Sequence, residues 1–277
     1  MPVASRPRRT WLFVAGADEA AHAAAARSRA DVIILELEDF TPPALRPRAY
    51  ALAEGALGRW RKAGALAGVR VNPLETCGRE DLHGVIAARP EVILMSKVDT
   101  PAQVKALEEA TGGVVELVPN IESAAGLRNA FDIARASARV KAMLVASEDM
   151  VADLGASRTR EGLELAYVRA RFLLECRAAG VEAIDAPYTF SDVRGARADA
   201  RYARRLGYRM KSLVDPSHAK ALNRVFTPSE AQLRKAQRIV RAFERARAAG
   251  KDRAKVDGAL IEVPIYAAAK RLLDSTK

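Results

Sequence analysis

Short apolar runs along the chain stop, one after another, at an acid, a base or an amide. Residues 32–37 end at Glu38-Asp39, residues 69–71 bracket Arg70 and end at Asn72, and residues 92–95 lead to Lys97. Residues 114–121 end at Glu122, and residues 142–147 at Glu148-Asp149. Most of these runs are rich in Val, Ile and Leu and do not alternate, as expected of strands buried on both faces. Eight strand candidates follow: residues 11–15, 32–36, 68–72, 92–96, 115–119, 142–147, 182–186 and 210–214. Helix candidates separate them at 18–28, 46–63, 79–87, 101–110, 123–136, 160–179 and 192–205. Thr100-Pro101 supplies a cap and a proline at a first helical position, and Gly180 and Gly207 fall where left-handed C-caps belong. Strand and helix alternating eight times predict an α/β fold of the (β/α)8 TIM-barrel type. A doubly wound open sheet is the runner-up, weakened because Val14-Ala15-Gly16-Ala17-Asp18 lacks the later glycines of a dinucleotide turn. After the eighth unit, Thr227-Pro228-Ser229-Glu230 starts a basic helix to about Ala249, followed by a polar loop at 250–256 and a last helix at 265–273. Residues 1–226 are therefore expected to form the barrel. Residues 227–277 are expected to form a C-terminal helical extension that covers the rim or packs on a neighbouring subunit.

Composition narrows this picture more than it redirects it. A chain of 277 residues suits one such barrel, and 49% hydrophobic residues suffice for a large core. No apolar run is long enough to cross a bilayer, so no membrane role is expected. Arg8-Arg9-Thr10-Trp11-Leu12-Phe13 loosely resembles a twin-arginine signal, but the run meets Asp18-Glu19 too soon and reads as a first strand behind a basic tail. Cys77 and Cys176 have no metal spacing and read as reduced thiols of a cytoplasmic protein. The net charge of +11 invites a nucleic-acid reading. The arginines, however, are spread along alanine-rich helices (Arg59, Arg61, Arg169, Arg171, Arg177, Arg234, Arg238, Arg241, Arg245, Arg247) without aromatic interleaving. A solvated face is favoured, with attraction of anionic substrates as the minority reading and no nucleic-acid partner.

Barrel enzymes gather their chemistry at the C-terminal ends of the strands. That rim would collect Glu36, Glu38, Asp39, Arg70, Asn72, Lys97, Glu122, Glu148, Asp149, Asp185 and Asp215. So many carboxylates at one mouth repel unless a cation neutralises some of them. Oxygen ligands without nearby histidine or cysteine favour Mg²⁺ or Mn²⁺ over zinc, and magnesium needs only one or two carboxylates.

Seven motifs in order then carry a resemblance. Arg9-Thr10-Trp11-Leu12-Phe13-Val14-Ala15-Gly16, Glu36-Leu37-Glu38-Asp39 and Val69-Arg70-Val71-Asn72-Pro73 come first. Lys97-Val98, Ile121-Glu122-Ser123-Ala124-Ala125-Gly126, Glu148-Asp149 and Thr227-Pro228-Ser229-Glu230 follow. The chain resembles the HpcH/HpaI aldolase and citrate lyase family, in the branch of the citrate lyase β subunit and the malyl- and citramalyl-CoA lyases. The resemblance implies a (β/α)8 barrel and a homotrimer with swapped C-terminal segments. It also implies Mg²⁺ held by Glu122 and Asp149. Arg70 falls on the arginine that binds the substrate's carboxylate or enolate, and Glu38 and Asp39 on acids that orient that arginine and the metal-bound waters. A tail acid that reaches a neighbouring active site falls on Glu262, one methylene longer than the family's aspartate. Other departures are Ala15, Ser96 and Ala146 for family Pro, Pro and Gly, and Val214-Asp215-Pro216 for Ile-His-Pro. These leave the substrate open: a small keto acid is expected, with use of a CoA thioester undecided.

Plainer readings stand beside these. Glu122 could cap a helix starting at Ser123, Asp149 a following turn, and Arg70 could merely bridge strands to Glu38. Lys97 could form a Schiff base, although the surrounding acids disfavour it. His22, His83 and His218 read as surface or capping residues, and Asp185 and Asp215 as hydrogen-bonded rim groups. The expected activity is Mg²⁺-dependent carbon–carbon cleavage or condensation of a hydroxy acid or its CoA thioester, releasing a 2-oxo acid or glyoxylate. The rivals are an acyl-CoA thioesterase, a malate synthase-like enzyme, and a non-catalytic subunit of a lyase complex.

Overall fold

In the computed structural model, residues 6–113 and 115–274 are described; Val114, the first five residues of the basic tail and residues 275–277 lie outside them. The chain divides into a barrel unit, residues 6–226, and a C-terminal unit that begins at Thr227. In the barrel unit, β1 (Thr10–Ala15), β2 (Val32–Glu36), β3 (Leu66–Val71), β4 (Val92–Met95), β5 (Glu116–Ile121), β6 (Ala142–Val145), β7 (Glu182–Asp185) and β8 (Met210–Leu213) close in sequence order into one parallel barrel. The open-sheet alternative is thereby removed. The connecting helices are α1 (Glu19–Arg27), α2 (Arg46–Lys62), α3 (Gly78–Val85), α4 (Pro101–Ala110), α5 (Ala124–Arg128), α6 (Ala130–Arg135), α7 (Glu148–Asp153), α8 (Ala166–Ala179), α9 (Val193–Leu206) and α10 (Ala219–Phe226).

The two faces of each strand feed different cores. Trp11, Phe13, Val32, Ile34, Val92, Leu94, Val118, Leu144, Ile184 and Met210 fill the barrel interior. Their sequence neighbours, such as Leu12, Ile33, Leu35, Ile93 and Met143, pack with the helices. Side chains on alternate residues of a strand point to opposite faces, so position parity decides which core a residue joins.

Helix boundaries follow capping chemistry. Thr100 and Gln103 form a capping box ahead of α4, and Gly180 and Gly207 end α8 and α9 with φ of 78° and 118°, values open to glycine at little cost. Three helix expectations need correction. The stretch 123–136 is broken at Asn129 into α5 and α6. Helix α8 starts at Ala166, not near 160, after a 3-10 turn at Leu163–Leu165. Helices α7 and α10 were not expected at all. In the C-terminal unit, α11 (Glu230–Ala248) starts at a Ser229–Gln232 capping box and α12 (Val263–Asp274) closes the unit. The polar loop expected between them contains half of an antiparallel hairpin, β9 (Ala254–Val256) with β10 (Ala259–Ile261).

Candidate active site

Strand register starts the site. Glu36 pairs with Arg70 across β2 and β3, and by parity both belong to the interior face, at the layer above Ile34. Arg70 is buried, and four carboxylates converge on its guanidinium. Its Nε donates to Glu36 Oε1 at 3.0 Å, Nη1 lies 3.3 Å from Glu38 Oε2 and 3.7 Å from Glu122 Oε1, and Nη2 lies 3.4 Å from Asp39 Oδ2. The Phe13 ring sits 5.2 Å from the guanidinium carbon. Burial works to lower the Arg70 pKa, but Glu36, Glu38, Glu122 and Asp39 outweigh it and raise it. Arg70 is a permanent, immobilised cation.

Glu36, collected only as one more rim acid, is the residue that shapes the turn. Its Oε1 accepts the Glu38 N–H at 2.5 Å and its Oε2 the Phe40 N–H at 2.6 Å. The β2 end is thus wrapped around a buried carboxylate, which presents Glu38 and Asp39 to Arg70. Burial raises the Glu36 pKa, with Arg70 and the two N–H donors opposing. Lys97 closes the other side of Glu38, its Nζ 2.8 Å from Glu38 Oε1. That contact raises the Lys97 pKa, the opposite of what a Schiff-base nucleophile requires.

Glu122 is buried just past the end of β5. Asn120, two residues earlier on the same face, donates its Nδ2 to Glu122 Oε1, whereas Glu122 Oε2 is buried without a hydrogen-bond partner. Burial and then Glu38 raise its carboxyl to about 8, Arg70 opposes, and Asp149 raises it further. The capping alternative for Glu122 does not hold, since Ser123 caps α5 by accepting the Gly126 N–H at 2.9 Å. Asp149 sits within α7 and makes no hydrogen bond or ion pair among the described residues, so it caps nothing. Sequence reading missed the residue that joins the two segments. Asp153, one helical turn past Asp149, accepts the Ala124 N–H at 2.7 Å and ties α7 to the start of α5. Its i+4 spacing from Asp149 was the available signal.

Glycine is required at one point of this frame. A Cβ on Gly126 would lie 2.7 Å from the Val98 carbonyl oxygen and 3.0 Å from Asp99 Oδ1. Gly126→Ala is therefore expected to cost about 1–3 kcal/mol through overpacking, read as a lowered urea midpoint at unchanged m-value. A midpoint equal to wild type would show that α5 shifts freely.

Arg70, Asp39, Asn120, Asp149, Phe13 and Ser212 line one cleft of about 270 Å³, with Leu144 and Ala146 on its wall. Glu148 also lines it, held by Arg158 at 3.2 Å and by the Thr189 hydroxyl at 2.8 Å. Two rim assignments are corrected. Asn72 is structural, its Nδ2 donating to Leu37 O and Asp81 Oδ2. Asp185 faces the helices, fully buried, paired with Arg169 and Lys211 at 2.6 Å each. Asp215, just after β8, is hydrogen-bonded at the strand end, its Oδ1 accepting the Ser217 N–H at 2.8 Å and capping a 3-10 turn. His22 and His218 are buried rather than superficial, each with Nε2 near a backbone carbonyl, Ala15 at 3.0 Å and Ser191 at 3.2 Å. Glu262 belongs to the C-terminal unit, exposed at the residue before α12.

Among the described residues no three His, Cys, Asp or Glu side chains form a metal cage. The unpartnered Glu122 oxygen and the unengaged Asp149 carboxylate instead fit an ion that takes two protein carboxylates and completes its shell with substrate and water, as Mg²⁺ does. Among those residues no helix is long and apolar enough to cross a membrane.

The sequence profile of the HpcH/HpaI aldolase/citrate lyase family matches residues 9–216. The citrate lyase subunit beta of Leuconostoc mesenteroides subsp. cremoris is 31% identical, over 97% of this chain and 93% of its own. The (3S)-malyl-CoA thioesterase of Cereibacter sphaeroides is 33% identical, over 93% of this chain and 90% of its own. The CitE structure from Mycobacterium tuberculosis in complex with magnesium, acetoacetate and coenzyme A has a TM-score of 0.81 at 26% identity, covering 97% of both chains.

Proposed function

Because the chain belongs to the HpcH/HpaI aldolase/citrate lyase family, we propose that it is a Mg²⁺-dependent carbon–carbon lyase. Its substrate would be a hydroxy acid or the CoA thioester of one, cleaved to a 2-oxo acid or glyoxylate, or formed in the reverse condensation. The observation that carries this reading is the pairing of a fixed guanidinium, Arg70, with a buried Glu122 that has an uncompensated oxygen, beside one cleft with Asp149 on its wall. Glu122 and Asp149 would hold the ion, Mg²⁺ or alternatively Mn²⁺. Bound there, it supplies Lewis acidity to the carboxylate and adjacent oxygen of the 2-oxo acid fragment.

The chain's own groups do the rest. Cleavage removes the substrate's hydroxyl proton, breaks the adjacent carbon–carbon bond and leaves an enolate on the departing fragment. Arg70 stabilises that developing negative charge, and it does so without reorganising because Glu36, Glu38 and Asp39 already fix its fork. Phe13 and Leu144 exclude water from the cleft floor. Glu262 of a neighbouring subunit, in a homotrimer whose C-terminal segments pack across subunits, is the carboxylate we assign to take up the hydroxyl proton and return it to the enolate. The soluble partners are a keto acid and, in the CoA-dependent form, an acyl-CoA.

Glu122→Ala and Asp149→Ala are each expected to abolish metal-dependent turnover and Mg²⁺ binding while retaining the native circular dichroism spectrum. Full EDTA-sensitive turnover in both variants would refute the ligand assignment, and failure of the wild-type chain to bind Mg²⁺ by calorimetry would favour a non-catalytic subunit. The likeness to a malyl-CoA thioesterase supports a second reading, hydrolysis at the same site. Products separate the two: a keto acid or aldehyde with a shorter thioester for the lyase, free CoA and an intact hydroxy acid for the thioesterase.

A further inference from the structure

A second concave site lies on the outer wall of the barrel, and its chemistry is unlike that of the first. Helix α9 carries Arg194, Arg197, Arg201 and Arg204 at helical spacing on one face and buries Ala196, Ala200 and Ala203 on the other. Arg197, Arg201 and Arg204 meet Arg224 of α10 around a cleft of about 350 Å³, completed by Ala221 and Val225. No carboxylate lines it. Arg204 is anchored, donating to the Val225 carbonyl at 2.6 Å. Arg197, Arg201 and Arg224 make no hydrogen bond or ion pair among the described residues.

The acid on α9 that could have neutralised them, Asp199, is turned inward to Arg169 and Lys211, at 2.7 and 2.6 Å. Some exposed arginines of other elements do find acids, as Arg171 does with Glu175, Arg234 with Glu230 and Arg238 with Asp257. Guanidiniums gathered in one cleft without a counter-charge repel each other, and a bound anion relieves that repulsion.

We infer that the α9–α10 cleft binds an oligophosphate, either free or as the phosphate chain of a nucleotide. Arginine forks match phosphoryl oxygens bidentately. Arg197 and Arg204 stand about 10 Å apart along the helix axis at ~1.5 Å per residue, a span that suits two or three linked phosphoryl groups better than one carboxylate. No aromatic side chain lines the cleft, so it lacks the stacking platform of a single-stranded nucleic-acid site. None of its residues lines the Arg70 cleft, so the two sites are tested independently.

The experiment is calorimetric titration of the full chain with sodium pyrophosphate, and separately with ATP, in EDTA at low salt. The double variant Arg197→Gln/Arg201→Gln is expected to bind pyrophosphate at least ~tenfold more weakly than wild type. Asp149→Ala, altered in the other cleft, is expected to bind it as wild type does. Tighter binding of ATP than of pyrophosphate assigns the site to a nucleotide, and equal binding assigns it to the free anion. The proposal falls if wild type binds neither, if the double variant binds both undiminished, or if a single-stranded oligonucleotide outcompetes pyrophosphate at these arginines.

Discussion

Replacing Arg70 with glutamine is expected to lower kcat by about 10²–10³-fold, the loss seen when one preorganised donor to a developing oxyanion is removed. The same substitution leaves Glu36 buried without its cation and Glu38 with Lys97 alone, a change that typically costs about 3–5 kcal/mol of stability. Both effects have one origin, so they are measured together: kcat and KM at saturating Mg²⁺, and urea unfolding. Arg70→Lys restores the charge without the planar fork, and is expected to recover more stability than turnover. Wild-type kcat in Arg70→Gln would remove Arg70 from the reaction, and a wild-type urea midpoint would show that the neighbouring carboxylates are already protonated.

Lys211→Met should be the most destabilising substitution away from the cleft, again by about 3–5 kcal/mol. Lys211 Nζ lies 2.6 Å from both Asp185 and Asp199 and has no exposed surface; Arg169 holds the other oxygens of both acids. The cluster ties β7 and β8 to α8 and α9. Burial raises the Asp199 pKa, but Lys211 and Arg169 outweigh it and hold the carboxyl below its ordinary value. A depressed folded-state pKa adds stability above the unfolded value, near 4, and that stability is lost as pH falls through the folded value. The gap between wild type and Lys211→Met should therefore be widest at neutral pH and narrow below about pH 4. Urea midpoints at pH 7 and pH 3 decide it, a constant gap counting against the assignment.

The barrel was legible because buried parallel strands have little sequence freedom. Apolar runs such as Val32–Glu36 and Val92–Met95 end where the rim begins, and the interruptions carry the site. Which way each charged residue faces was not legible from charge alone. Arg169 looked like one more solvated helix arginine, and Asp185 like a rim acid, yet both are buried in the helix layer. Parity would have separated them: Ile184 and Met210 point into the barrel, so Asp185 and Lys211 must point out. The same rule puts Asn120 inside with Glu122. Hairpin β9–β10 escaped notice because its strands are only three residues long, too short to show alternation, with Ile261 alone buried. Helix α7 is too short at Glu148–Asp153 to show a period.

Phe13 and Leu144 belong at once to the packed interior of the barrel and to the wall of the cleft that Arg70 lines. Room for a bulkier substrate fragment can be made there only by trimming side chains that plug the cylinder, and a truncated plug leaves a void. Broadened substrate range through this floor and a lower melting temperature should therefore arrive in the same variant.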